Sequence, residues 1–564
     1  MSMVNRLLGV ALIALAGPLV AQTTSLPLSH KPQPTHAAIS AADLMTRLYI
    51  FADDSMLGRE AGMPGNVKGT NYIATEIKRL GLVPAGDSGT YFQTIPLKTR
   101  AFDSTSTFTV GGTALAAFVD YLPNARIPLA NAAVPTVYGG DLADSARALT
   151  ADQVSGKLVV LRARGELGRR LRIPTVAGAA AVALILPRED SLPAQLVAFA
   201  RRPQTFVDDI PPGTPAPQPN FLITGPAVAK LFGKALDSLS AGTAGASAAL
   251  AIRYTVTPVP DPARNVIGII PGSDPKLKGE FVAIGGHNDH IGIARPVDHD
   301  SVRIFNEIVR PEGADDGRKQ PTPEQTTQVN QRLAAWRAAH PGKTRIDSIS
   351  NGADDDGSGT VSALEIAEYF AGMKVKPKRS LIFVWHVGEE KGLLGSRFFT
   401  DHTTVPRDSI VAQLNMDMVG RGAASDETGR TKDSVSLHGG PMYLQLVGSR
   451  RLSTELGNLV EQVNTQDHHN LTFDYALDAD GHPSNIYCRS DHYEYARYGI
   501  PIVFFTTGLH RDYHQVTDEP EYIDYEHMAR VDKLVADVAL HVANLDHRVV
   551  VDKPKPDPNG QCRQ

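Results

Sequence analysis

Residues 381–390 read Leu-Ile-Phe-Val-Trp-His-Val-Gly-Glu-Glu, an apolar run that leads into two adjacent glutamates. A continuous apolar run of this length is typical of a strand that is buried on both faces. Two neighbouring carboxylates at the end of such a strand carry a large desolvation cost unless a cation or a shared proton offsets it. A metal ion offsets it if one glutamate binds the ion while the other stays free to accept a proton from water. The stretch therefore favours a metal-dependent hydrolase.

Four further segments carry potential metal ligands. Three of them follow short apolar strands: His287-Asn-Asp-His290 after Phe281–Gly286, Asn415-Met-Asp-Met418 after Ile410–Leu414, and Tyr513-His514 in the loop beyond Ile500–Phe505. The fourth is the acidic, glycine-rich turn at 351–360, which opens a predicted helix at Val361–Phe370. In an open α/β sheet, ligands bind outside the carboxyl ends of the strands. We therefore expect five oxygen and nitrogen ligands, of the mixed kind that suits zinc, to converge there.

Taken together, these motifs resemble those of a known family. They are Gly-Gly-His-Asn-Asp-His (285–290), Asn-Gly-Ala-Asp-Asp-Asp-Gly-Ser-Gly (351–359), Gly-Glu-Glu-Lys-Gly-Leu-Leu-Gly-Ser (388–396), Asn-Met-Asp-Met-Val-Gly (415–420) and Tyr-His (513–514). From about Ala41 to Leu545 the chain is similar to the secreted di-zinc aminopeptidases, whose clan also contains glutamate carboxypeptidase, the transferrin receptor ectodomain and glutaminyl cyclase. The resemblance implies an α/β fold with a mixed, mostly parallel sheet flanked by helices and an inserted β-rich protease-associated domain.

The resemblance also implies a role for each site residue. His287, Asp355 and Asp417 would hold one zinc ion, and Asp355, Glu390 and His514 would hold a second, so that Asp355 bridges the pair. Glu389 would be the general base, and Asp289 would orient His287. Tyr487 takes the position of a family tyrosine that hydrogen-bonds the oxyanion. The simpler alternatives are a helix N-cap role for the aspartates at 354–356 and a pocket-wall role for Tyr487.

Several other segments resemble metal sites but have simpler interpretations. Gly313-Ala-Asp-Asp-Gly317 nearly repeats the acidic motif, yet no apolar helix follows it and its surroundings are polar. Asp467-His468-His469 and Asp478-Ala-Asp-Gly481 fit no complete ligand set, so we expect solvated loops. The single histidines His290 and His386 are expected to be structural.

The composition and the motifs of the chain restrict the ligands and binding partners that can be expected. The 564 residues carry a formal net charge of -5, whereas nucleic-acid binding normally needs a basic face. No GxxxxGK[ST] phosphate loop is present, so ATP is not expected. Peptides are therefore the expected substrates, and no nucleic-acid partner is predicted.

The first residues resemble a secretory signal peptide. Arg6 supplies the positive charge, Leu7–Val20 is apolar but short for a membrane span, and Ala21 is a small residue before the expected cleavage site. An uncut anchor is the alternative, which Pro18 and the short run disfavour. We expect a secreted or periplasmic protein without a membrane anchor, in which Cys488 and Cys562 either pair or remain free thiols.

The expected domain organisation follows changes in composition along the chain. The segments are a signal peptide at 1–21, a flexible leader at 22–40, the N-terminal part of the catalytic domain at 41–121, the protease-associated insert at 122–258, the rest of the catalytic domain at 259–548 and a disordered tail at 549–564. The polar segment 293–350 is expected to be an insertion over the mouth of the active site, or else a disordered surface loop.

The leading functional prediction is an exported zinc aminopeptidase that removes N-terminal residues from peptides, using a water activated by two Zn²⁺ ions and Glu389 as general base. A carboxypeptidase or dipeptidase on the same scaffold is the alternative. It would need a cation for the substrate carboxylate, for which Arg421 and Arg489 are available. A glutaminyl cyclase with one zinc ion and a catalytically dead binding protein are less favoured, because all five ligands and the base are present.

Overall fold

A computed structural model describes residues 26–124, 127–142, 149–164, 173–187, 190–209, 217–310, 313–316, 320–422, 427–430 and 436–564. The expected signal peptide at 1–21 lies outside these ranges. Within them the chain forms a large mixed sheet flanked by helices, a second β-rich unit, and a smaller addition of two helices and two strands. This is the α/β architecture that the sequence predicts.

The helices and strands are numbered in chain order. The strands are β1 (Val83–Pro84), β2 (Phe92–Ile95), β3 (Leu97–Phe102), β4 (Thr107–Val110), β5 (Thr113–Ala114), β6 (Tyr121–Pro123), β7 (Leu129–Asp141), β8 (Leu158–Arg162), β9 (Ala181–Ile185), β10 (Gln204–Val207), β11 (Asn220–Ile223), β12 (Ala244–Ile252), β13 (Tyr254–Pro258), β14 (Ala263–Ile270), β15 (Phe281–His287), β16 (Gly292–Asp298), β17 (Ile346–Ser350), β18 (Ser380–His386), β19 (Ile410–Met416), β20 (Glu427–Arg430), β21 (Ser436–His438), β22 (Tyr443–Val447), β23 (Thr472–Asp474) and β24 (Ile502–Thr506). The helices are α1 (Ala41–Phe51), α2 (Pro64–Arg79), α3 (Ala151–Val154), α4 (Ala194–Arg201), α5 (Gly225–Phe232), α6 (His299–Val309), α7 (Pro323–Ala339), α8 (Gly359–Gly372), α9 (Leu394–Asp401), α10 (Thr454–Gln466), α11 (His492–Ala496) and α12 (Tyr525–Asn544).

The large sheet places the expected ligand motifs at one edge. Its order is β1-β14-β18-β15-β19-β24-β22-β23, and β2 also pairs with β14. β15 pairs in parallel with both β18 and β19, and β19 pairs in parallel with β24. The carboxyl ends of these four strands therefore meet, and each is followed by one of the motifs singled out in the sequence. All four strands predicted from apolar runs are present.

The central strands are mostly apolar because helices cover both of their faces. On β18, Leu381, Phe383 and Trp385 point into a core shared with α1, α8 and α12. The alternate residues Ile382 and Val384 point into a second core with α9 and α11. Each fully buried side chain of this size stabilises the fold by about 1.5–3 kcal/mol. The strand that carries the two glutamates is thus held rigidly from both sides.

The β-rich unit has a sheet and a core of its own. The sheet order is β5-β4-β12-β7-β8-β9-β11-β6, and α5 packs on it. It begins earlier than the boundary expected at 122, because β4 pairs along β12. None of the expected metal ligands lies in this unit. Its identity as a protease-associated domain stays a prediction.

The insertion at 293–350 contains β16, α6, α7 and β17. β16 pairs with β17, and α6 packs against α7. Asn306 on α6 donates a hydrogen bond of 2.9 Å from Nδ2 to the carbonyl oxygen of Arg511. The N–H of Ala314 donates to the carbonyl oxygen of Tyr513 at 3.1 Å. The insertion thus packs against the loop that leads to His514, and the segment that nearly repeats the acidic motif lies beside this loop.

The leader and the tail are held to the body by specific contacts. The N–H of Ser40 donates to Glu365, and the Thr35 hydroxyl donates to Glu368. Instead of being a disordered tail, residues 549–564 are anchored at their end by a Cys488–Cys562 disulfide with the Cα atoms 5.8 Å apart. No helix within the described ranges is long and apolar enough to cross a membrane.

Candidate metal centre

Five side chains of the expected ligand set meet at the carboxyl edge of the sheet. His287 Nε2 lies 3.2 Å from Asp355 Oδ1 and 3.8 Å from Asp417 Oδ1. His514 Nε2 lies 3.0 Å from Asp355 Oδ2 and 2.9 Å from Glu390 Oε2. The side chains form two groups, and Asp355 belongs to both.

The arrangement of donor atoms fits metal ions. His287 Nε2, His514 Nε2, Asp355 Oδ2 and Glu390 Oε1 are buried, and none of their close contacts with one another or with His290 has hydrogen-bond geometry. Buried polar atoms are normally satisfied, so a cluster of unsatisfied nitrogen and oxygen atoms indicates a group that these residues are built to bind. Ligand atoms of His287, Asp355 and Asp417 lie within 4.8 Å of one another. Imidazole and carboxylate ligands of this kind suit zinc.

The orientation of His287 follows from its second ring nitrogen. Nδ1 lies 3.0 Å from the backbone carbonyl oxygen of Asp289. A carbonyl oxygen can only accept, so Nδ1 carries the proton and Nε2 presents its lone pair to the site. The side chain of Asp289 makes a different contact from its backbone carbonyl. Its Oδ1 accepts hydrogen bonds from the N–H groups of Gly388 at 2.7 Å and Glu389 at 3.2 Å. Asp289 therefore holds both His287 and the turn that carries the glutamates.

Asp417 and Asp355 are also fixed by neighbouring groups. The Ser490 hydroxyl donates to Asp417 Oδ2 at 2.6 Å and accepts a hydrogen bond from Asn415 Nδ2 at 3.1 Å. Behind the acidic turn, Asp518 Oδ2 accepts the backbone N–H of Asp355 at 3.0 Å. The ligand side chains are thus held in position by residues that lie behind them and are not ligands themselves.

The two aspartates that flank Asp355 point away from the ligand groups. Asp354 Oδ1 accepts the N–H of Gly420 at 2.7 Å. Asp356 Oδ1 accepts the N–H of Gly359 at 2.8 Å, at the start of α8. Both carboxylates bind backbone N–H groups, and Asp356 does so at a helix N-terminus, as the N-cap alternative expected.

The two adjacent glutamates differ in proton affinity. Burial raises the pKa of the Glu389 carboxyl well above its usual range, and the neighbouring charges of Glu390 and Asp417 raise it further while His287 opposes them. Burial would raise the pKa of Glu390 too, but His514 and His290 lower it to about 2. Glu389 therefore has the higher proton affinity of the two, and Glu390 the lower.

His290 lies closer to the centre than the sequence indicates. Its Nδ1 is 2.7 Å from Glu390 Oε1, and it forms a ligand group with Asp355 and Glu390. Its ring packs on the backbone of Gly352, where an added Cβ would stand 2.5 Å from His290 Cγ. The only sequence signal for this role is its position three residues after His287 at the same strand end.

A cavity opens beside Glu389, Asp355 and Asp417. Its other walls are mostly apolar and include Met418, Leu477, Ile486, Phe504, Leu509 and Tyr513. Arg489 also lines it, and its Nη2 donates to the Tyr513 hydroxyl at 3.2 Å. A small apolar chamber next to a cluster of carboxylates suits a peptide end with an apolar side chain.

The expected oxyanion contact of Tyr487 is not evident from its placement. The Tyr487 ring packs beside His492, with ring centres 5.6 Å apart, and under the Arg451 guanidinium. Among the described residues that line the cavity, the tyrosine is Tyr513. A direct role for Tyr487 therefore stays a prediction, and Tyr513 is a second candidate because it lines the cavity.

Arg421, one of the two cations considered for a substrate carboxylate, is engaged elsewhere. It is buried, and its Nη2 lies 2.8 Å from Asp512 Oδ2. The burial of both groups makes the exchange of Asp512 for a substrate carboxylate costly. Arg489 is therefore the better placed of the two.

The fold and the buried histidine–carboxylate groups define the class of α/β metallohydrolases. Residues 336–539 match the model of Peptidase family M28, so the chain carries a Peptidase family M28 domain. The matched segment contains Asp355, Glu389, Glu390, Asp417 and His514. His287 and Asp289 precede it and come from the adjoining strand.

Curated relatives match the chain over part of its length. Aminopeptidase Y of Saccharomyces cerevisiae is 28% identical over 204 residues, which are 34% of this chain and 33% of that protein. Leucine aminopeptidase 1 of Ajellomyces capsulatus is 28% identical over 204 residues, 35% of this chain and 48% of that protein. The chain thus spans less than half the length of these relatives.

Solved structures with a similar topology are more distant in sequence. An aminopeptidase from Aneurinibacillus sp. strain AM-1 is 17% identical with a TM-score of 0.48, covering 92% of this chain and 97% of that one. A zinc aminopeptidase from Bacillus subtilis is 17% identical with a TM-score of 0.40, and the alignment covers 89% of this chain and 95% of that one.

Proposed function

We propose that this chain is an exported aminopeptidase that uses two zinc ions to remove N-terminal residues from peptides. The observation that carries the proposal is the position of Asp355 between two ligand groups, with Glu389 beside both. His287 and Asp417 would complete one ion's protein ligands, and Glu390 and His514 the other's. Aminopeptidase Y and leucine aminopeptidase 1 among the relatives support an aminopeptidase activity.

Zinc ions bound here would lower the pKa of the attacking water and polarise the scissile carbonyl. Glu389 then accepts the proton of the water and returns it to the leaving amine, because it is the glutamate with the raised pKa. Asp289 holds the Glu389 N–H in place, so the carboxyl stays aimed at the reacting atoms. Tyr513, and by the family resemblance Tyr487, are the phenols available to donate to the developing oxyanion.

The charge around the cavity supports the direction of cleavage. Glu389 and Asp417 are both at its wall, so they would attract a free α-amine and repel an α-carboxylate. The apolar wall would take the first side chain. Arg489 is the specific observation that favours the second candidate, a carboxypeptidase or dipeptidase, because a guanidinium at the wall could bind a carboxylate.

The test uses one peptide series with a free or an acetylated N-terminus, read by mass spectrometry with and without a chelator. We expect stepwise loss of N-terminal residues from the free peptides, resistance of the acetylated ones, and no cleavage after chelation. Loss of C-terminal residues from acetylated peptides would instead establish the carboxypeptidase. In that case Arg489→Gln should abolish cleavage.

The metal count is tested separately by elemental analysis after reconstitution with excess zinc. We expect Glu390→Gln to hold one zinc ion fewer per chain than the wild type, and the double variant His287→Gln/Glu390→Gln to hold two fewer, so that the differences count only the ions of the centre. A centre that holds one ion in the wild-type chain would contradict the two-metal proposal.

Export is supported by the resemblance of residues 1–21 to a signal peptide and by the disulfide, since such bonds persist in oxidising compartments. A fusion of residues 1–40 to a reporter that is active only outside the cytoplasm tests it. An inactive reporter would contradict the proposal.

A further inference from the structure

A second histidine–carboxylate cluster lies on the surface, away from the centre. It consists of Asp467 and His469 from the loop after α10, and Asp537 and His541 from α12. We propose that these four residues, named here the surface cluster, form a peripheral binding site for a transition-metal ion such as Zn²⁺. The sequence predicted a solvated loop at 467–469, because the partners on α12 are far away along the chain.

Three of the four residues have ligand atoms whose spacing suits one ion, and His541 lies beside one of the three, Asp467. His469 Nε2 lies 2.9 Å from Asp537 Oδ2, and His541 Nε2 lies 3.0 Å from Asp467 Oδ2. Ligand atoms of Asp467, His469 and Asp537 lie within 4.8 Å of one another. Neighbouring ligands of a tetrahedral zinc ion stand about 3.3 Å apart, given bond lengths near 2.0 Å. Small side-chain shifts would therefore admit the ion.

The two elements present their ligands on facing sides. Asp537 and His541 are four residues apart on α12, so they lie on the same helix face. The packing of α10 against α12 brings the loop after α10 to that face. An ion at the surface cluster would therefore connect the two helices.

The loop is held in shape before any ion binds. Asn464 Oδ1 accepts the N–H of Leu471 at 2.9 Å, and Asn464 Nδ2 donates to the Leu471 carbonyl at 2.8 Å. Asn470 Nδ2 donates to the His468 carbonyl at 2.9 Å. These bonds fix the turn that carries His469, which reduces the ordering cost of binding.

The charges also favour a cation. Within the described ranges, neither Asp467 nor Asp537 has a lysine or arginine at ion-pair distance. Each is instead paired with a histidine. A divalent cation would neutralise the two carboxylates and use the two imidazole nitrogens as ligands. The side chains of Asp467 and His541 are 33% and 46% exposed, so water can complete the coordination.

The test compares the full chain with the double variant His469→Gln/His541→Gln, and uses His468→Gln as the matched control. His468 lies on the same loop and is exposed, but it is not part of the surface cluster. After equilibration with micromolar free zinc, elemental analysis should find one zinc ion fewer per chain in the double variant. The control should match the wild type. Because the test compares the zinc content of the double variant with that of the wild type, its result does not depend on how many ions the centre holds.

Thermal unfolding provides the second measurement. Added zinc should raise the melting temperature of the wild type and of His468→Gln by more than that of the double variant, since an ion that binds only the folded state stabilises it. Peptidase activity of the double variant should equal that of the wild type. Equal zinc content and equal melting shifts in all three proteins would overturn the proposal and leave two ordinary histidine–aspartate hydrogen bonds.

Discussion

The centre and the surface cluster use the same chemical groups in opposite surroundings. At the centre, the side chains of His287, Asp355 and Glu390 are 1%, 4% and 6% exposed. In the surface cluster, Asp467 and Asp537 are 33% and 29% exposed. Water can replace a lost partner at the surface cluster, whereas at the centre it cannot.

The difference in burial determines how much free energy a substitution costs at each of the two sites. Removing one partner of a buried ion pair costs about 3–5 kcal/mol, because it leaves an uncompensated charge. Exposed pairs contribute little, since solvent screens them. Several ligands of the centre are also held by a further residue, as Ser490 holds Asp417. We therefore expect changes at the centre to affect chemistry and changes at the surface cluster to affect only stability.

The largest expected effect is that of Glu389→Gln. An amide cannot accept the proton of the attacking water, so turnover should fall roughly 10³-fold or more while zinc content stays at the wild-type value. Asp537→Asn makes the same kind of change in the surface cluster and should leave turnover unchanged. Steady-state kinetics and elemental analysis check both. Loss of zinc in Glu389→Gln but not in Glu390→Gln would mean that the roles of the glutamates are reversed.

The next largest effect distinguishes the catalytic roles of Tyr513 and Tyr487. If a phenol donates to the oxyanion, its removal should lower kcat by about 10²-fold with little change in KM. We expect this from Tyr513→Phe, because Tyr513 lines the cavity, and a much smaller change from Tyr487→Phe. The opposite ranking in steady-state kinetics would restore the direct role that the family resemblance gives to Tyr487.

A smaller effect is expected from a residue that supports the centre. Asp289→Asn removes a carboxylate that accepts two N–H groups of the glutamate turn, and should weaken zinc binding roughly 10–100-fold. Asn464→Ala is the matching change beneath the surface cluster and should leave the affinity of the centre unchanged. Zinc-buffered activity titrations measure both. Identical titration curves for Asp289→Asn and the wild type would show that the backbone carbonyl alone positions His287.

The last comparison concerns stability alone, at a buried and an exposed histidine. Burial lowers the pKa of His492 to about 3, whereas an unfolded histidine titrates near 6.5. The unfolded state therefore takes up a proton first, and this contribution to stability is lost as the pH falls from about 6.5 towards 3. His492→Gln should reduce the slope of the unfolding free energy by about 1.4 kcal/mol per pH unit in that window.

Denaturant titrations at several pH values, with chelator present throughout, measure that slope. His468→Gln, on the exposed loop, should leave it unchanged. An unaltered slope in His492→Gln would mean that the buried imidazole is already protonated in the folded protein.

The sequence predicted the parts of the site that lie directly after apolar strands. Glu389, Glu390, His287 and Asp417 each follow a run whose burial can be read from composition, and parallel pairing brings such ends together. His290 was missed as a partner of Glu390, since its contact depends on the turn around Gly352. The pattern of apolar residues says nothing about that turn.

Other parts depend on contacts between distant segments. The surface cluster joins two segments about seventy residues apart, and neither has a complete ligand set. The start of the β-rich unit at Thr107 was missed because β4 joins the large sheet of this unit by pairing with β12, which lies far away along the chain. The tail has no periodic apolar residues, so its composition indicated disorder although single contacts hold it in place.

The tail packs beside the cavity wall, and two independent connections hold it there: the backbone and the disulfide. Gln564 accepts the N–H of Tyr487 at 3.0 Å and donates to the carbonyl of Ala479 at 3.1 Å, next to the wall residues Ile486 and Leu477. A protease that nicks the chain between 549 and 561 would leave the severed peptide attached through Cys562. Reduction alone would leave it attached through the backbone. Only a nick and reduction together would release it, so the tail should stay attached to a trimmed protein until the disulfide is also reduced.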